Sequence, residues 1–76
     1  MESTIVRRDS LFIIVGPRRV HVNGICFKNS FIHDVRINSE LGTLIIEQKS
    51  GHKTTFVTND DMLWEARRTI LSAIRK

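Results

Sequence analysis

A single cysteine, Cys26, excludes an intrachain disulfide and any Cys-x-x-Cys pair for metal or redox work. Tyrosine is absent and tryptophan occurs once, at Trp64, so aromatic side chains for stacking nucleobases are scarce. The longest unbroken apolar run, Leu11 to Val15, is far short of the roughly 20 residues a membrane-spanning helix requires, and no span is expected. The four glycines are scattered one per turn, which excludes a clustered phosphate-cradling loop. The start, Met1-Glu2-Ser3-Thr4, puts an acid first and Arg7-Arg8 where a secretory signal would carry its apolar stretch. The sequence therefore reads as cytoplasmic.

What is present is the composition of a globular chain: 41% hydrophobic and 26% charged residues, away from disordered, collagenous and membrane classes. Seventy-six residues read as one domain, 1–76, with no repeat, linker or low-complexity segment. A domain this short buries only about 60% of its unfolded surface, so its core is thin and docking onto a partner would relieve it. The net charge of +4 attracts anionic partners without naming one.

Residues 1–9 are polar and charged, and Thr4-Ile5-Val6 either adds an edge strand or stays a loose terminus. Leu11-Phe12-Ile13-Ile14-Val15, stopped by Gly16-Pro17, reads as a buried core strand. Asn23-Gly24 predicts a type I′ hairpin in which Val22 faces Ile25 and Val20 faces Phe27 on the core side. The other side then carries Arg19, His21, Cys26 and Lys28, with Arg19 opposite Lys28. That like-charge pair destabilises unless an acid or a bound anion lies between the two.

Phe31 to Ile37, apolar at Phe31, Val35 and Ile37, reads as a half-buried strand ending in the turn Asn38 to Gly42. A second hairpin about Lys49-Ser50-Gly51-His52 is expected to pair Ile45 with Phe56 and Leu44 with Val57 in a covered, central position. The period then changes to that of a helix over about 59–75, with Thr58-Asn59-Asp60-Asp61 as its capping residues and Arg75-Lys76 at its far end. Leu63, Ala66, Ile70, Ala73 and Ile74 form the core stripe; Trp64, Arg67, Arg68, Leu71 and Arg75 form the adjoining one. The fold class is α+β: an antiparallel meander of five to seven short strands, a partly open barrel or sheet, capped by one C-terminal amphipathic helix.

Over residues 24–76 the chain resembles the short bacterial members of the pleckstrin-homology-like superfamily. The carriers are Phe31-Ile32-His33-Asp34-Val35, Gly42-Thr43-Leu44-Ile45-Ile46, Gly51-His52-Lys53-Thr54-Thr55-Phe56 and the closing Arg67-Arg68-Thr69-Ile70-Leu71-Ser72-Ala73-Ile74. The chain departs from the family pattern in being short for its seven strands. The resemblance implies a scaffold for proteins, peptides or phosphoinositides, without catalysis.

The residues themselves point away from an enzyme. His21 opposite Cys26 has neither an orienting third group nor an oxyanion site, and zinc ligation by Cys26, His21, His33 and His52 would draw on four separate segments. Asp60-Asp61 are better explained as first-turn helix acids, and Glu40 and Glu47 as solvated. No metal or other cofactor is expected.

The leading expectation is a noncatalytic protein-interaction module, an adaptor or inhibitor of the kind phages also carry. It would dock on a larger protein or a second copy of itself through Trp64, Arg67, Arg68 and Leu71, or through a sheet edge. The alternative is a nucleic-acid binder using a basic surface of Arg7, Arg8, Arg18, Arg19, Lys28 and Arg36. A third reading is an anion or phosphoinositide site at Gly16-Pro17-Arg18-Arg19 or Lys49-Ser50-Gly51-His52-Lys53.

Overall fold

The computed structural model describes residues 3–59 and 61–75. In chain order these form β1 (Ser3–Arg7), β2 (Ile13–Val15), β3 (Arg19–Val22), β4 (Ile25–Lys28), a 3-10 turn (Asn29–Phe31), β5 (Ile32–Asn38), β6 (Thr43–Gln48), β7 (Lys53–Val57) and the helix α1 (Leu63–Ile74). The strands make a three-stranded sheet ordered β2-β3-β4 and a four-stranded sheet ordered β1-β7-β6-β5, with no closed barrel. All pairings are antiparallel except β1 with β7, which run parallel.

The β3–β4 hairpin has the predicted register, Val22 with Ile25 through Arg19 with Lys28. Its turn is of the kind Asn-Gly favours, because Asn23 and Gly24 both take positive φ, 50° and 86°. Asn23 does a second job: its Oδ1 accepts the Phe12 amide at 2.7 Å while its own amide donates to the Phe12 carbonyl at 2.9 Å. That clamp ties the entry of β2 to the turn.

The two sheets meet face to face through Phe27 and Phe56, an edge-to-face pair with centroids 6.3 Å apart. Around them Val20, Val22, Val35, Leu44, Ile46 and Ile70 are fully buried. Helix α1 packs chiefly on β5, with lesser contacts to β2, β6 and the 3-10 turn. It buries Leu63, Ala66, Ile70 and Ala73 and half-buries Ile74, which is the expected core stripe.

Several expectations are corrected. Leu11 to Val15 is not a buried core strand, because β2 lies at a sheet edge and leaves Phe12, Ile14 and Val15 exposed. Phe31 is not part of the half-buried strand; it sits exposed in the 3-10 turn, and Ile32 is buried in its place. A register irregularity between Ile32 and Asp34 inserts His33 as an extra residue, so that both Ile32 and Val35 face inward. The β6–β7 register slips by one from expectation: Leu44 pairs with Phe56 and Ile45 with Thr55. Burying Phe56 beside Leu44 decides this, since a one-residue slip would turn one of the two away from the core. Both strands are central, but Ile45, Thr55 and Val57 lie on the outer face and are only half-buried.

Helix α1 starts at Leu63 rather than near 59. Met62 is its N-cap, and no side chain supplies the capping hydrogen bond. Asn59 and Asp61 precede it, while Asp60 and Lys76, expected at its two ends, lie outside the described residues. Of the two readings for the N-terminus, Ser3–Arg7 takes the edge strand; Met1 and Glu2 lie outside the described residues.

Candidate functional site

Trp64 leaves the core because helix geometry turns it about 100° from the buried Leu63. It is 63% exposed. Leu41, 69% exposed, is brought beside it by the turn between β5 and β6. In that turn the Asn38 side-chain oxygen accepts the amides of Glu40 and Leu41 at 3.1 and 3.3 Å. Gly42 then accepts the Thr58 amide at 3.0 Å, which holds the turn against the segment leading into α1. The result is a shallow concavity of about 420 Å³ lined by Leu41, Trp64, Leu63, Glu40 and Asp61 among others.

On its other side Trp64 lines a second groove, about 260 Å³, with Arg67, Arg68, Leu71, Ser72 and Arg75. The predicted stripe is therefore gathered in one place, with an acidic flank that the sequence reading missed. Among the described residues the ion pairs are those of Arg36, and Glu40, Asp61, Arg68 and Arg75 form none with one another. Arg67 has a second contact within the stripe. It is half-buried and its Nε–H donates to the Val35 carbonyl at 2.9 Å, so it ties the helix to the outer edge of β5 before it offers anything to a partner. Leu41 was findable: it is the one large apolar side chain in a turn that otherwise wants polar residues.

The basic set does not form one surface. Arg7 and Arg8 line a concavity with Asp9 and Val57. Arg36 stands on the outer face of the four-stranded sheet, 3.1 Å from Asp34 and 3.9 Å from Glu47. The Arg36 guanidinium hydrogen-bonded to Asp34 holds that carboxyl below its ordinary value of 3.8, helped by the Val35 amide and the charge of Arg67 and opposed by partial burial. Asp34 thus stays ionised to lower pH than a free carboxyl, and Arg36 has two acids beside it.

Arg18, Arg19 and Lys28 do converge. They line a concavity of about 460 Å³ with Pro17, Asn29, Ser30 and Ile74, at the C-terminal end of α1. Next to it, sharing Ser30, lies a concavity of about 420 Å³ lined by Phe31, Gln48, Lys49 and Ser50. The Lys28 ammonium stands 5.3 Å from the Phe31 ring centroid.

His21 faces Cys26 in register on the solvent side of the three-stranded sheet, and Cys26 is exposed. His33 is at the β5 bulge, and His52, before β7, meets the Thr4 hydroxyl at 2.9 Å. No group of three or more His, Cys, Asp or Glu able to hold a metal ion forms among the described residues. No helix among them is long and apolar enough to cross a membrane. No family model matches the chain, and comparison with curated proteins and with solved structures returned no match.

Proposed function

We propose that the chain is a noncatalytic protein-interaction module, an adaptor or inhibitor, that docks on a larger protein or a second copy of itself through the face centred on Trp64. One observation carries this reading: the sole tryptophan and Leu41 are both held more than 60% exposed on a concave surface between charges of opposite sign. Tryptophan and arginine are the residue types most enriched where interfaces concentrate their energy. Apolar area released from water is worth roughly 25 cal/mol per Å², so covering the Trp64 ring would favour association substantially. The sheet edges at β1 and β2 are the other route, since their outer sides pair with no strand among the described residues.

The charge order suits a two-fold contact. Glu40 and Asp61 lie to one side of Trp64, Arg68 and Arg75 to the other, so a rotation about Trp64 sets acid against base.

Trp64→Ala is the decisive variant. Capture of partner proteins from lysate at high salt and sedimentation of the purified chain over a wide concentration range should both be compared with wild type. The expected result is a loss of roughly 30-fold or more in affinity, the minimum for a residue that dominates an interface. Arg68→Glu should weaken the same complex without touching the core. Equal association by wild type and both variants would sink the reading.

A further inference from the structure

The opposite end of α1 carries a second surface of different chemistry. We infer that it binds single-stranded nucleic acid, with Arg18, Arg19, Lys28 and Lys49 holding phosphates and Phe31 stacking a base. Arg19 and Lys28 are in-register neighbours on β3 and β4, where like charges oppose folding unless an anion joins them. Arg18 enters the same concavity and Lys49 the adjoining one. Among the described residues no carboxylate side chain lines either concavity. That absence separates this cluster from Arg36, whose charge Asp34 and Glu47 answer internally.

Phe31 supplies the second element. It is 52% exposed between the two basic groups. The Lys28 ammonium stands 5.3 Å from this ring's centroid, close enough to meet the phosphate of a base stacked on the ring's other face. Asn29, which also lines the larger concavity, ties it to the end of α1. Its Nδ2 donates to the Ala73 carbonyl at 3.4 Å while its Oδ1 is buried without a partner. An exposed ring in a concave basic surface suits unpaired bases, because duplex bases offer no face to stack on.

Fluorescence anisotropy of a short labelled oligothymidylate, its oligouridylate counterpart and a matched duplex tests this. Single strands should bind more tightly than the duplex, and the DNA and RNA arms decide which sugar is preferred. Four neutralised phosphates predict a log–log salt slope of about −3, falling by about 0.7 in each of Arg19→Ala and Lys28→Ala. Phe31→Leu should weaken binding roughly 5- to 150-fold and leave the slope unchanged. No binding at low salt, equal affinity for the duplex, or indifference to Phe31→Leu overturns the inference. So does attachment to phosphatidylserine vesicles in place of oligonucleotide.

Discussion

Gly42 shows how a single position can fix both the fold and the interaction face. Its φ is 65°, in the region where an L side chain is strained, and a β-carbon there would come within 2.7 Å of the Thr58 carbonyl oxygen. The Gly42 carbonyl accepts the Thr58 amide, so relieving the clash means giving up that bond. Gly42→Ala should therefore cost about 1–3 kcal/mol, visible as a lower urea midpoint. Because the same contact seats Leu41 beside Trp64, emission from the sole tryptophan should change in the folded variant as well. An unshifted midpoint with unchanged emission would mean that the turn is not what positions the face. Asn23 makes a related point. Its place in an Asn-Gly turn was legible, whereas its clamp on Phe12, eleven residues away, depends on how β2 folds back and leaves no local trace.

Elements whose pattern is set by neighbours in sequence were readable: the β3–β4 register, the core stripe of α1, the existence of a terminal helix. Those set by distant packing were not. An apolar run such as Leu11 to Val15 has the composition of a central strand, and only the sheet order reveals that β2 is an edge. The extra residue at His33 changes which side chains face inward, and its only local trace is the polar pair His33-Asp34 between Ile32 and Val35. At the candidate sites, Trp64 and Arg68 were legible from helical periodicity, but Leu41, Phe31 and Lys49 come from turns that only tertiary contacts bring alongside. Arg67 illustrates the same limit. Its spacing puts it on the exposed stripe, yet its guanidinium reaches the open edge of β5, where the Val35 carbonyl would otherwise lack a donor. Arg67→Met keeps most of the apolar stem and removes the donor, so it should cost about 1–2 kcal/mol and loosen α1 from β5. A denaturation midpoint equal to wild type would show that water serves the carbonyl equally well.

The two ends of the chain close the molecule together. β1 lies parallel to β7 from Ser3 beside Lys53 to Arg7 beside Val57, and the Arg8 amide to the Val57 carbonyl and the Asn59 amide to the Asp9 carbonyl carry the closure further. Such contacts span most of the sequence, so their loop-closure entropy is met before they contribute anything, and they belong late in folding. They also bury little: no residue of β1 is fully buried, and Val6 beside Phe56 is only half-covered. A chain of this length has a total stability of roughly 4–11 kcal/mol at 0.05–0.15 kcal/mol per residue. Opening β1 alone should draw on a fraction of that. Native-state hydrogen exchange should then find the bonded amides of β1 opening well below the global free energy, while those of β6, flanked on both sides and carrying Leu44 and Ile46, open only with the whole molecule. If β1 and β6 exchange with one common free energy, the closure is part of the cooperative core. In that case the exposed side of β1 is a rigid edge on which a partner strand could form rather than a strand that comes away.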